Sequence, residues 1–121
     1  MHKADVYAQK VDFYYDVVTD EYVKIGTIEG DTLADLFIKA LRLYNKNANR
    51  HITHPVFKAG KYWYGCAEYG VRSKNGRGWT HYWSLNRMVG GMNSRYSQTY
   101  QYILTIPKNK VKEKDAKRYL E

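Results

Sequence analysis

Between residues 60 and 84 large rings stand at alternate positions on both parities of the chain, and Glu68 is the one acid among them. In residues 61–72, Trp63, Ala67, Tyr69 and Val71 fall on one side of a period of two, and Tyr62, Tyr64, Cys66, Glu68 and Arg72 on the other. In residues 79–85, Trp79, His81, Trp83 and Leu85 share one side and Tyr82 takes the opposite one. A period of two is the signature of a strand. Asn75-Gly76 between the two runs marks a hairpin tip. An antiparallel sheet commonly covers one face with a helix and leaves the other wet. Here both faces carry rings, so the second face is expected to present aromatics to solvent or to a ligand.

The rest of the chain supplies the cover. Residues 11–17, VDFYYDV, alternate in the same way. With TDE as a turn and YVKIGTI as the return strand they predict a first hairpin. In GDTLADLFIKALRLYNKN, Leu33, Leu36, Phe37, Ala40, Leu41 and Tyr44 make one apolar stripe of a helix. Asp31 is placed to cap its start, and Arg42 and Lys46 suit its negative end. Residues 45–60 read as a connection, because Pro55 biases His54 away from regular structure. NRMVGGMNSR reads as a loop, and YSQTYQYILTIP as a last strand. The expected fold is α+β: a mostly antiparallel five-stranded sheet in the order β-β-α-β-β-β, with one long amphipathic helix on a face. Residues 1–107 would form this single domain. Residues 108–121 would be a charged tail able to form a helix, docked through Val111 and Tyr119.

Charge is segregated along this frame. The formal net charge is +8, yet residues 1–31 hold seven acids against three lysines. Residues 36–107 hold eleven cations against Glu68 alone. Such a basic region attracts anionic partners through its field. One cysteine, Cys66, excludes an internal disulfide framework and fits a reducing compartment. No apolar run approaches a membrane span, and the first residues lack the apolar core of a secretory signal. A cytoplasmic protein without membrane contact is the expectation.

Rings flanked by cations are what flexible nucleic acid uses: bases stack on the rings and cations follow the phosphates. Tyr62, Tyr64 and Tyr82 are the expected ring contacts, with Arg72, Lys74, Arg77, Arg87 and Arg95 on phosphate. Gly76, Gly78, Gly90 and Gly91 lie between these cations, where bare backbone can approach an anion. The partner would be single-stranded nucleic acid or a nucleotide, gripped without catalysis. Tyr, Trp and Arg also anchor protein interfaces. A small inhibitor or adaptor that blocks a larger nucleic-acid-handling protein, of viral or mobile-element origin, is therefore the alternative. A homo-oligomer holding a nucleotide between subunits is a further one. A small ribonuclease would cast His51 and His81 as base and acid, beside Glu68 and Arg50. A metal site would need three or four ligands at coherent spacing, which one cysteine and a His51/His54 pair in a loop do not supply. No cofactor is called for.

Overall fold

The computed structural model describes residues 2–11, 17–88 and 102–120, the side chains of 17–20 excepted. Two strands, β1 (His2–Val11) and β2 (Val17–Gly30), precede helix α1 (Leu33–Asn47). Four more follow: β3 (Ile52–Ala59), β4 (Tyr62–Arg72), β5 (Trp79–Met88) and β6 (Leu104–Pro107). Short 3-10 turns at Lys108–Lys110 and Ala116–Leu120 end the chain. All six strands join one antiparallel sheet in the order β2-β1-β3-β4-β5-β6.

The expected five-stranded sheet is therefore wrong, and the order is β-β-α-β-β-β-β. The added strand is β3, which falls within residues 45–60, expected as a connection because of His54 and Pro55. Along β1, Ala8 faces Pro55 and Gln9 faces Thr53, so His54 is an extra residue, bulged out of the ladder. It takes φ +49, a conformation a bulge accommodates. Pro55 stands past the last β4 pair, Val56↔Gly65, and proline is tolerated at bulges.

The first hairpin is also displaced. β1 begins at His2, well before VDFYYDV, and Thr19-Asp20-Glu21 run inside β2 rather than forming a turn. Residues 12–16, most of that expected strand, lie outside the described residues. β1 was overlooked because its buried positions include Ala4 and Ala8 beside Val6, and two alanines make a faint alternation. The last strand is four residues long as described. The residues expected before it, 96–101, lie outside the described set, as do Gly90 and Gly91.

Helix α1 starts one residue later than Asp31 suggested. Thr32 is the cap: its Oγ1 accepts from Asp35 N at 3.1 Å, and Thr32 N donates to Asp35 Oδ2 at 3.2 Å. This reciprocal box satisfies free donors of the first turn. Lys117 from the second 3-10 turn pairs with Asp35. That pairing, with the amides of Thr32 and Asp31, holds the carboxyl at about 2.

Leu36, Phe37, Ala40 and Leu41 of α1 pack on the sheet face formed by Ala4, Val6, Ile28, Phe57, Cys66, Trp83, Leu85 and Ile106. Val111 and Ala116 close the same core from the C-terminal segment. At Gly26, φ is +156, and an added Cβ would stand 2.8 Å from Leu43 Cδ2. Glycine suits that backbone, and a side chain there would have to push the end of Leu43 aside. No helix among the described residues is long and apolar enough to cross a membrane.

Asp35→Asn is expected to destabilise the protein by about 1 kcal/mol, as lost caps do. In the wild type, stability is lost as pH falls through 3.8 toward 2, because the unfolded carboxylate takes a proton that folded Asp35 refuses. Urea melts at pH 7 and pH 3 check both: the variant should melt earlier at pH 7, and the gap should shrink at pH 3.

Candidate functional site

The pairing of β4 with β5 sorts the rings. Tyr62, Tyr64, Cys66, Glu68, Gly70 and Arg72 share the helix-side face with Arg87, Leu85, Trp83, His81 and Trp79, their register partners or neighbours. Trp63, Tyr69 and Tyr82 point to the other side. That other side is not an open platform. Val56, Ser84, Asn86 and Met88 are buried along its middle. Tyr7 and Trp63 meet at 6.1 Å. Tyr69 is stacked on Tyr82 at 5.2 Å and on Tyr102 at 5.0 Å, nearly parallel to both.

The most exposed ring among the described residues lies on the helix side, beyond the helix, although Tyr62 and Tyr102 are open too. Trp83 marks the limit of the core at 1% exposure. Tyr44 of α1 meets it edge-on at 5.7 Å and His54 edge-on at 6.3 Å. Lys108 Nζ sits 5.3 Å from its ring centre while bonding Glu68 Oε2 at 2.8 Å. Two residues further out on β5 comes His81, opposite Gly70, and then Trp79, opposite Arg72. Trp79 is 59% exposed. Gly70 makes room for both rings: a Cβ there would touch His81 Nδ1 and Trp79 Cε3, each at 3.4 Å. Trp79, Thr80, His81, Lys108 and Asn109 line a hollow of about 360 Å³.

The tip beside this hollow is basic. Arg72, Lys74 and Arg77 are exposed and have no carboxylate partner among the described residues. Arg72 Nη2 reaches Gly76 O at 3.4 Å. The loop is tight: Ser73 N donates to Gly78 O and Gly76 N to Ser73 O, both at 2.9 Å. Arg77 N donates to Asn75 Oδ1 at 2.9 Å. The three cations are thus carried on an ordered turn.

Of the residues expected to bind, Arg72, Lys74 and Arg77 are brought together here. The others are elsewhere. Tyr62 lies ten residues along β4 from Arg72, about 33 Å in an extended strand, with the Arg87 guanidinium 4.4 Å over its ring. Tyr64 is half-buried, stacked on Phe57 at 5.9 Å. Tyr82 belongs to the opposite face, and Arg95 lies outside the described residues. Trp79, Lys108 and Asn109 were not among them. For Trp79 the signal was present: it is the first residue of the return strand, at the tip of its hairpin.

The histidines are also rearranged. His51 precedes β3, its carbonyl accepting from Val11 N at 2.8 Å and its ring beside Arg50 Nε at 3.5 Å. His81 is in the hollow, and Glu68 is held by Lys108. The histidine coupled to Glu68 is His54. Burial lowers its pKa, Lys108 lowers it further, and Glu68 opposes them. Burial pushes the Cys66 thiol far up, so it is no nucleophile. Among the described residues no three His, Cys, Asp or Glu side chains gather as metal ligands do.

Because folded His54 resists the proton that the unfolded chain accepts near 6.5, stability should fall as pH drops below 6.5 and level off under the depressed folded value. Asn tolerates positive φ, so His54→Asn should flatten that slope. Thermal melts of both proteins between pH 7.5 and pH 5 test it, and equal slopes would exclude His54 as the source.

Compared with known proteins, the chain matches no family model, no curated protein and no solved structure.

Proposed function

We propose that the protein binds a phosphate-bearing planar ligand, single-stranded nucleic acid or a nucleotide, at the free end of the β4–β5 hairpin. Trp79 supplies the surface on which a base stacks. His81 and Asn109 border the base edge. Arg72, Lys74 and Arg77 take the phosphates. The observation that carries this reading is the pairing of Trp79, 59% exposed, directly across from Arg72 in the sheet. An indole left open to water beside uncompensated cations is a binding surface in the sense that isolated exposed apolar residues are not. Binding is occupancy rather than catalysis. The one buried cysteine fits a reducing compartment, and we assign the protein to the cytoplasm.

A protein partner is the second reading, favoured by the opposite side of the same hairpin. Val71, Tyr102 and Ile103 are all more than 40% exposed there or nearby, and tyrosine is a common interface anchor. A complex of that kind would survive Trp79→Ala and be weakened by Val71→Asp.

Fluorescence anisotropy with labelled single strands tests the first reading. Base stacking contributes about 1–3 kcal/mol per base, so Trp79→Ala should weaken binding roughly 5- to 150-fold. With three phosphates neutralised, log affinity should fall with log salt at a slope of about −2, and Arg77→Gln should make it shallower by about 0.7. An unchanged affinity in Trp79→Ala, or a flat salt dependence, would overturn the assignment.

A further inference from the structure

A second hollow, of about 320 Å³, lies between the last turns of α1 and the C-terminal segment, lined by Arg42, Asn45, Lys46 and Lys112. No carboxylate pairs with Arg42, Lys46 or Lys112 among the described residues. This is unlike most of the cations around them: Lys108, Lys110, Lys117 and Arg118 each have an acid partner. Three cations gathered without an acid repel one another, and an anion placed among them relieves that repulsion.

The second hollow is separated from the first by one short turn. Lys108 and Asn109 line the Trp79 hollow and Lys112 lines this one. Lys112 is three positions after Asn109, so their Cα atoms are no more than about 11 Å apart. The turn is fixed in place. Val111 beneath it is fully buried. Arg42 clamps it from the helix, with Nε on Val111 O at 2.9 Å and Nη2 on Glu113 O at 2.8 Å. The clamp occupies one N–H on each of those nitrogens and leaves Nη1 free for an anion. Unpaired cations therefore stand at the two ends of this path, at the hairpin tip and at the end of α1, while Lys108 and Lys110 on the turn between them are held by Glu68 and Glu113.

We infer that the ligand is a single strand several nucleotides long, and that it crosses the turn from the Trp79 hollow to the Arg42–Lys46–Lys112 hollow. The inference rests on the function proposed above and narrows it to a polymer. A mononucleotide fills one hollow and leaves the other unmatched. Successive phosphates along one strand of a stacked helix rise by about 3.4 Å, so the crossing takes about three nucleotide steps. A duplex keeps its bases inside the stack, where the indole of Trp79 does not reach them.

The test uses the full chain with octamers of thymidylate and uridylate and with the matching 5′-monophosphates. Either octamer should bind at least ten-fold more tightly than its monophosphate. The octamer's salt slope should be steeper by about 2.8, for two further phosphates at the hairpin tip and two in the second hollow. In the double variant Lys46→Glu/Lys112→Glu, octamer affinity should drop by ten-fold or more, with monophosphate affinity unchanged. Both side chains are exposed, and thermal melting verifies that the variant is folded. Trp79→Ala should weaken both ligands. Equal affinity for octamer and monophosphate, or an octamer indifferent to the double variant, overturns the crossing while leaving the Trp79 site standing. Loss of neither ligand in Trp79→Ala removes the underlying site itself.

Discussion

The seam at Trp83 is the contact on which the rest of this molecule depends. A helix of fifteen residues is about 22 Å long. A strand of eleven residues runs to about 36 Å. The helix therefore cannot cover the hairpin of β4 and β5 from end to end. Its last apolar residue, Tyr44, reaches Trp83 and stops there. Trp83 is sealed by Tyr44, His54 and Lys108; four positions on, Trp79 has no cover. The same row of side chains passes from core to open surface without changing its chemistry. The site is the part of the sheet face that the helix is too short to hide.

Electrostatics follow the same division. Lys3, Lys10 and Lys24 are matched by Glu29, Glu21 and Asp5 on the β1–β2 hairpin. Lys110, Lys117 and Arg118 are matched by Glu113, Asp35 and Asp115 near the C-terminus. These exposed pairs contribute little stability individually, but they cancel charge locally. Among the described residues, cations without an acid partner stand at the β4–β5 tip and at the end of α1, and also at Lys39, Lys58, Lys61 and Lys114. Ions in solution screen such charges beyond about 8 Å at physiological strength. Cations carried on one short turn, as Arg72, Lys74 and Arg77 are, sum their fields over the same patch of surface.

The parity of the two aromatic strands and the stripe of α1 were legible in the sequence, because each is a local period imposed by a local geometry. β1 was not, since Ala4 and Ala8 bury without announcing it. β3 was hidden by His54-Pro55, whose bulge is stabilised only by the strand lying beside it. The site was half legible. Arg72, Lys74 and Arg77 are neighbours in the chain and had to be neighbours in space. Which ring would stand open was decided by where the helix ends on the sheet. Which lysine and asparagine would wall the hollow was decided by the return of a segment that begins 29 residues after Trp79. No periodicity carries that information.

The bulge at His54 also explains why the end of the hairpin stands apart from β3. Below it, Val56 to Ala59 pair with β4; above it, β3 pairs only with β1. β4 thus parts from β3 beyond Gly65, and β6 pairs with β5 only from Tyr82 to Leu85. From Gly70 to Arg72 and from Trp79 to His81 the sheet, among the described residues, is a ribbon of two strands. A two-stranded ribbon is marginal by itself and twists more than a wide sheet. This one is braced by the stacked tyrosines at its base, Tyr69, Tyr82 and Tyr102, on one side. On the other it is braced by Trp79 and His81 leaning over Gly70. The tyrosines hold the ribbon by its base, and the tip, with Trp79 and three cations lacking an acid partner among the described residues, projects into solvent. A flexible polyanion can approach such an end from either side, whereas a flat interior strand would offer it only one face.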